Sequence, residues 1–247
     1  MKSIIFASRN TKEITRDIMT SLFGIGFPIV LLVLLSAINN SIPKDYGPKL
    51  FNIELLAPGI TVFGLSFLSL FSSMLISKDR TTSFMLRLFT SPLKPSDFIL
   101  GYTMPLIPLA IIQSTVCYIC ALFLGLQFSA NLIAAIVVNI PVAIVFIALG
   151  LLFGSVLNEK AVGGICGALL TNLSAWFSNI WFDTSMVGGA FKAIADLLPF
   201  SHAVNAARAA VAGDFGAIFP DLWWVIGYAV VLTAAAIAVF TIRIKKN

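Results

Sequence analysis

Side chains of the types that carry out catalysis are scarce in this sequence. There is one histidine, His202, three residues after Pro199. Acid–base or nucleophilic catalysis needs a partner base and a group that orients it, and the sequence indicates neither beside His202. We therefore interpret His202 as a polar residue at the start of a helix, and we expect that the chain is not itself an enzyme.

The cysteines and the phosphate-binding motifs lead to a similar expectation. Cys117, Cys120 and Cys166 lie in apolar runs, where a thiol behaves as a small hydrophobic group. A helix would place Cys117 and Cys120 on one face, but that run has no His, Asp or Glu to complete a metal site. The sequence also lacks the Gly-x-x-x-x-Gly-Lys-Ser/Thr loop that cradles phosphates. We expect no disulfide, no metal ion and no cofactor bound by this chain.

Gln113, Asn139 and Asn172 are uncharged amides within apolar runs. Such a side chain is costly in hydrocarbon unless it has a partner. The three amides therefore either bond across helices or face a wet pathway, and we favour bonds between helices.

Residues 78–95 form a compact charged stretch between two long apolar runs, with four cations and one anion. It must lie outside the bilayer, on the cytoplasmic side where positive charge collects. At helical spacing it combines cations with bulky apolar groups, a surface suited to docking into another protein; the alternative is a loop that only joins two spans. The side chains are Arg80, Phe84, Arg87 and Ser91 on one stripe and Met85, Leu88 and Pro92 on the next.

Composition sets the class of protein. Hydrophobic residues make up 59% of the chain and charged residues 11%, whereas soluble domains have about 25% charged residues. A membrane span needs about 20 residues, so 247 residues hold about six spans and little else. We predict an all-α integral membrane protein with six transmembrane helices.

The apolar pattern places these spans and the helices beside them. An amphipathic helix over 1–20, with Ile4, Ala7, Thr11, Ile14 and Ile18 on one stripe, is expected in the cytoplasmic interface. Residues 183–220 are too polar to span and too long for a simple turn, so we predict a re-entrant helical hairpin. With both termini inside, twelve of the sixteen Lys and Arg residues lie in the cytoplasm. The predicted spans are 22–38, 57–77, 98–126, 132–157, 162–182 and 222–242.

Two short motifs resemble those of ABC-2 type transporter permeases. The first reads Asp79-Arg80, Ser83-Phe84-Met85, Arg87-Leu88 and Ser91-Pro92-Leu93. It departs from the family pattern at Ser83, usually Gly, and at Leu86, often Glu. In that family the segment is the coupling helix, which sits in a cleft of the partner ATPase. The second motif resembles the family's outer re-entrant helices through Pro199, Phe200, Ser201, Arg208 and Gly213.

The resemblance implies the membrane subunit of an ATP-driven exporter. Its partners would be two copies of a cytosolic ABC ATPase, which bind ATP and Mg, and a second permease chain, as a homodimer or with a close relative. The expected dimer seam is formed by the first and fifth spans, with Gly163 and Gly167 allowing close approach. The implied ATPase-coupling residues are Asp79, Arg80, Phe84, Met85, Arg87, Leu88, Ser91 and Pro92.

We expect an amphipathic drug or lipid as substrate; polysaccharide or glycolipid export is the alternative within the family. A stand-alone secondary transporter or channel is disfavoured, because the predicted span interiors have no charged residue. We place the chain in a bacterial plasma membrane, in contact with lipid and not with nucleic acid. The predicted substrate pathway contains Ser66, Ser69, Asn172, Trp176 and Phe177, which alternatively only pack the bundle.

Overall fold

The computed structural model describes residues 2–41, 52–81 and 95–246, and every regular element in these ranges is a helix. The first part of the chain forms α1 (Lys2–Arg16), α2 (Ile18–Ser21), a π-helical stretch (Leu22–Gly26), α3 (Phe27–Ser41), α4 (Ile53–Leu65) and α5 (Phe67–Thr81). The middle forms α6 (Pro95–Thr103), α7 (Leu106–Phe123), α8 (Asn131–Val156), α9 (Glu159–Val162), a π-helical stretch (Gly163–Leu170) and α10 (Thr171–Trp176). The last part forms α11 (Thr184–Val187), α12 (Gly189–Leu197), α13 (Pro199–Ala212) and α14 (Phe215–Lys246).

Five helices among the described residues are long and apolar enough to cross a membrane. They correspond to five of the six predicted spans, and most extend beyond the predicted bounds. We call them the first, second, third, fourth and last spans: Leu22–Ser41, Ile53–Thr81, Pro95–Phe123, Asn131–Val156 and Phe215–Arg243.

The predicted fifth span, 162–182, is shorter than expected. Its helical run covers 159–176, begins with the charged pair Glu159 and Lys160, and contains the π-helical stretch. It is not among the five long apolar helices. The hydropathy of the aromatic residues near its end extended the prediction past Trp176, where the regular helix stops.

The second span is the centre of the bundle. Of the residues in its most apolar window 89% are buried, against 22% in the last span. It packs closely on the fourth span, where a Cβ added to Gly150 would lie 2.1 Å from the carbonyl oxygen of Ser69. A Cβ on Gly154 would lie 2.6 Å from that of Ser73. Glycine at both positions therefore allows the two backbones to touch.

Helix α1 is amphipathic, and the predicted apolar stripe divides between the bundle and the outer surface. Ala7 and Ile14 are buried in the bundle, whereas Ile4 in α1 and Ile18 in α2 are 60% and 78% exposed. The ring of Phe6 packs edge-on against Tyr102 in the third span, 4.9 Å between centroids. Packing on the third span thus buries Phe6 and leaves Ile4 exposed.

Residues 184–212, which we call the hairpin segment, form three helices where a pair was predicted. Helix α13 is largely buried, and Phe200 stacks on Phe146 of the fourth span at 5.8 Å. It ends at Gly213, whose φ of 79° is the left-handed conformation that glycine adopts readily. Helix α13 is thereby held against the spans, whereas most of α11 and α12 is exposed.

Candidate coupling site

The second span ends in a buried carboxylate that joins three helices. Asp79 is only 2% exposed. Arg9 of α1 binds both of its oxygens, with Nη1 2.6 Å from Oδ2 and Nη2 2.8 Å from Oδ1. The hydroxyl of Tyr102 in the third span donates to Oδ2 at 2.8 Å. A bidentate pair with a further donor is the geometry in which a buried carboxylate is well stabilised.

Around this carboxylate the contacts continue to the surface. Arg9 Nη2 lies 2.9 Å from Glu13 Oε2, and Lys78 Nζ lies 3.0 Å from Glu13 Oε1. Asn10, fully buried, donates from Nδ2 to the carbonyl of Gly101 at 3.0 Å. We call Arg9, Asn10, Glu13, Lys78, Asp79 and Tyr102 the basal cluster.

Arg9 stays protonated in this environment. Burial of the guanidinium by itself lowers its pKa, but the hydrogen bond and charge of Asp79, together with the charge of Glu13, outweigh burial and raise the pKa of Arg9. Since arginine is already protonated at any physiological pH, the Arg9–Asp79 pair keeps its positive partner throughout.

Arg80 links the same end of the bundle to the fourth span. Its Nη1 donates to the carbonyls of Gly154 at 2.8 Å and Leu157 at 3.3 Å. These carbonyls lie at the C-terminal end of α8, where helical acceptors lack intrahelical partners and the dipole favours a cation. Arg80 therefore caps the fourth span.

The predicted coupling residues fall into two groups. Asp79 and Arg80 are described by the structure, and both bind within the chain. Phe84, Met85, Arg87, Leu88, Ser91 and Pro92 lie outside the described residues. Their role in binding an ATPase remains a prediction. The structure shows how the helices on either side of 82–94 are connected. Helix α5 and helix α6 are joined by the hydrogen bond between Tyr102 and Asp79.

The opposite end of the bundle has its own polar contacts. Arg208 of α13 donates from Nε to the carbonyl of Leu55 at 3.1 Å and from Nη2 to that of Asn179 at 3.0 Å. His202 lies between Asp221 and the carbonyl of Asp196. We call Asp196, His202, Arg208, Asp221 and Trp224 the hairpin cluster.

Of the predicted re-entrant residues, Pro199, Phe200 and Ser201 are buried, and Ser201 donates to the carbonyl of Ala195 at 2.8 Å.

The predicted pathway residues divide into buried and exposed members. Ser66 and Ser69 are fully buried, and their hydroxyls donate to the carbonyls of Phe63 and Ser66 in the same helix. Asn172 is exposed, and Trp176 is 52% exposed. Phe177 is half-buried and stacks on Phe191 with 4.7 Å between centroids. Of these five residues only Asn172 and Trp176 are exposed on the surface of the chain.

The two predicted seam glycines also differ. A Cβ added to Gly163 would have open space around it, and Gly163 is exposed. A Cβ on Gly167 would lie 3.3 Å from the side chain of Leu70 in the second span. Gly163 therefore faces out of the protomer, whereas Gly167 packs within it.

Two of the buried amides bond across helices. Gln113 Nε2 donates to the carbonyl of Thr61 at 3.2 Å, and Asn139 Nδ2 donates to the hydroxyl of Ser114 at 3.2 Å. The third amide, Asn172, instead bonds to the carbonyl of Ala168 in its own helical run. The cross-helix bonds join the third span to the second and fourth spans. Within the described residues, no three His, Cys, Asp or Glu side chains come together as a metal site would require.

Together these features define a multi-span helical membrane protein with charged contacts at both ends of its bundle. The sequence matches the model of the ABC-2 type transporter family over residues 3–211, which is most of the chain, and the protein belongs to that family. It is also similar to ABC transporter G family member 20 of Dictyostelium discoideum, with 24% identity over 233 residues. The match covers 87% of this chain and 30% of that protein.

Sequence reasoning missed three of the residues that organise these clusters. Arg9 and Tyr102 were not singled out, although Arg9 lies on an amphipathic helix and Tyr102 at the start of a span. Asp221, the partner of His202, lies 19 residues further along the chain. The one signal for this pairing in the sequence was the position of Asp221, a carboxylate close to the start of the last span.

Proposed function

We propose that this chain is the permease subunit of an ATP-driven exporter and that an ABC ATPase drives it through residues 82–94. The observation that carries the proposal is the bonding of Asp79 to Arg9 and Tyr102. These bonds join α5, α6 and α1 at the start of the 78–95 segment that resembles a coupling helix.

A push on residues 82–94 reaches several helices at once in this arrangement. Helices α5 and α6 flank the segment, so they receive the displacement first. The ion pair with Arg9 then carries it to α1, and Arg80 carries it to the end of the fourth span. Because packed helices move as rigid bodies, closure of the ATPase displaces the bundle rather than one loop.

The transport pathway is proposed to run between two permease chains. The exposed face of the helical run 159–176 supports this, since Gly164, Ala168, Asn172 and Trp176 are all exposed and spaced four residues apart. Small residues let a second chain approach, while an amide and an indole ring suit an amphipathic substrate with a polar head group. The first span, of which only 28% of the apolar window is buried, is proposed as the other part of the seam.

This proposal includes a sixth crossing by the run 159–176, with both termini in the cytoplasm. The charge distribution supports that orientation, because it puts the basal cluster and residues 78–95 on the positive side. The hairpin segment then lies at the outer face. The ATPase supplies the ATP and Mg²⁺ sites.

The test uses charge reversal at two arginines near the proposed cytoplasmic face. Arg87→Glu changes the segment that resembles the coupling helix, whereas Arg16→Glu changes an exposed residue at the end of α1. Each variant would be expressed in the native host, and the ABC ATPase that co-purifies with the parent would be quantified by mass spectrometry. We expect Arg87→Glu to keep its level in membranes but to lose co-purification of the ATPase at least tenfold, while Arg16→Glu retains it. Equal retention by both variants would contradict coupling through 82–94.

A further inference from the structure

The imidazole of His202 is held between two oxygen acceptors. Nδ1 lies 2.5 Å from Oδ1 of Asp221, at the start of the last span. Nε2 lies 2.8 Å from the backbone carbonyl of Asp196 in α12. The ring is stacked on Trp224, with 5.3 Å between centroids and 9° between planes. One side chain of α13 thus contacts both α12 and α14.

With Asp221 ionised, these contacts require a particular protonation state of the ring. A carbonyl oxygen only accepts hydrogen bonds, and so does an ionised carboxylate, so each ring nitrogen must carry a proton to bond its partner. Neutral imidazole has one N–H and can make only one of the two bonds. The doubly protonated ring makes both, and its positive charge is further favoured by the face of the indole.

The charged surroundings favour the same state. Asp221 faces the ring from the last span, and the carboxylate of Asp196, which pairs with Lys192, lies near it on α12. The other helices packed on α13 contribute little, since the fourth span has no titratable side chain and α4 has only Glu54. The hydrogen bond to Asp221 is the main cause that raises the pKa of His202, against the opposing effect of burial.

We propose that His202 and Asp221 form a proton-binding site that fastens the hairpin segment to the last span. The ligand is one proton, and the bound form is the imidazolium bridging Asp221 and the carbonyl of Asp196. A second contact, from the hydroxyl of Tyr228 to the carbonyl of Leu197 at 2.8 Å, joins the same two elements without needing this proton. In the proposed orientation the site faces the outside, so it responds to external pH.

The sign of the pH dependence follows from the raised pKa. The stabilisation of the hairpin segment is complete below the ordinary histidine pKa of about 6.5 and is lost as pH rises through the higher pKa of the folded state. Alkaline pH therefore loosens α12 and α13 from α14, while mildly acidic pH tightens them.

Because this is the single histidine of the chain, its ring can be observed without interference. The protein would be labelled with ring-¹⁵N histidine, purified without a histidine tag and reconstituted in lipid bilayers for a ¹⁵N NMR pH titration. We expect both nitrogens to be protonated at pH 6.5, with a midpoint above 6.5. Asp221→Asn keeps the size of the side chain and removes its charge, and it should lower the midpoint by about one unit or more.

Amide hydrogen exchange of the hairpin segment gives the structural readout, after correction for the intrinsic pH dependence of exchange. Residues 189–212 should exchange at least threefold faster at pH 9 than at pH 6 in the parent, with no such difference in His202→Gln. A neutral ring at pH 6.5, or a titration that Asp221→Asn does not change, would overturn the proposal. Neither measurement involves an ATPase, so the result is independent of the proposed function.

Discussion

The basal cluster and the hairpin cluster have the same structural role but use different charged groups. Each fastens short helices to the ends of long spans through buried or half-buried charged groups. In the basal cluster Asp79 is held by Arg9 and Tyr102, and the guanidinium does not titrate near neutral pH. In the hairpin cluster His202 bonds Asp221, and histidine does titrate there. The contacts of the basal cluster are therefore independent of pH near neutrality, whereas those of the hairpin cluster depend on a bound proton.

The largest expected effect is at the buried carboxylate. Asp79→Ala leaves Arg9 and Tyr102 without their shared acceptor. Because the Arg9 side chain is 37% exposed and keeps its contact with Glu13, we expect a cost of about 3 kcal/mol, the lower end of the range for removing one partner of a buried ion pair. Thermal unfolding in detergent would measure the loss, which should be the same at pH 6 and pH 8. Tyr102→Phe is the matched control and should cost about 1 kcal/mol, as a single hydrogen bond does. A loss of stability in Asp79→Ala that depends on pH would contradict the pH independence of the basal cluster.

Two arginines with parallel contacts sharpen the comparison. Arg80 and Arg208 each donate to two backbone carbonyls, one at each end of the bundle. Truncation to alanine should cost about 2 kcal/mol at either site, as for hydrogen bonds to charged groups, with no pH dependence between 6 and 8. The same unfolding assay checks this. A His202 variant should lose more stability at pH 6 than at pH 8. The same pH dependence in Arg208→Ala would show that the effect of pH does not come from His202 alone.

The smallest effect is expected at the solvent edge of the basal cluster. Lys78 pairs with Glu13, but the Lys78 side chain is 58% exposed. Exposed pairs contribute about 0.2–1 kcal/mol and weaken with salt. Lys78→Ala should therefore lower the midpoint of unfolding slightly in low salt and scarcely at all in 0.5 M NaCl. A loss as large as that of Asp79→Ala would show that the ion pair at the surface, rather than the buried one, holds α1.

The sequence was sufficient to place the long helices. Runs of about 20 apolar residues identify spans without knowledge of their partners, and five of the predicted spans match helices in the structure. The ends were less predictable. The third span was predicted to reach residue 126, but the helix ends at Phe123, and Gly125 adopts a φ of 108°.

The partners of the charged residues were not predictable in the same way. Arg9 and Asp79 are 70 residues apart, and hydrophobic periodicity says which face of a helix is buried but not which helix lies opposite. The same holds for Ser69, predicted to line a pathway on its residue type and spacing. Its burial against the helical run 159–176, with Oγ 3.5 Å from the carbonyl of Cys166, depends on tertiary packing.

The central claim, that an ABC ATPase acts on the basal end of this permease, is tested most directly by site-specific cross-linking. Ser91→Cys in the segment that resembles a coupling helix and Ser185→Cys in the exposed part of the hairpin segment would each be introduced after replacing Cys117, Cys120 and Cys166. Each thiol would carry a photoactivatable cross-linker, and the ABC ATPase that co-purifies with the parent would be co-expressed. We predict a cross-link to the ATPase from position 91 and none from position 185. A cross-link from position 185 alone, or from neither position in membranes where both proteins are present, would contradict the account.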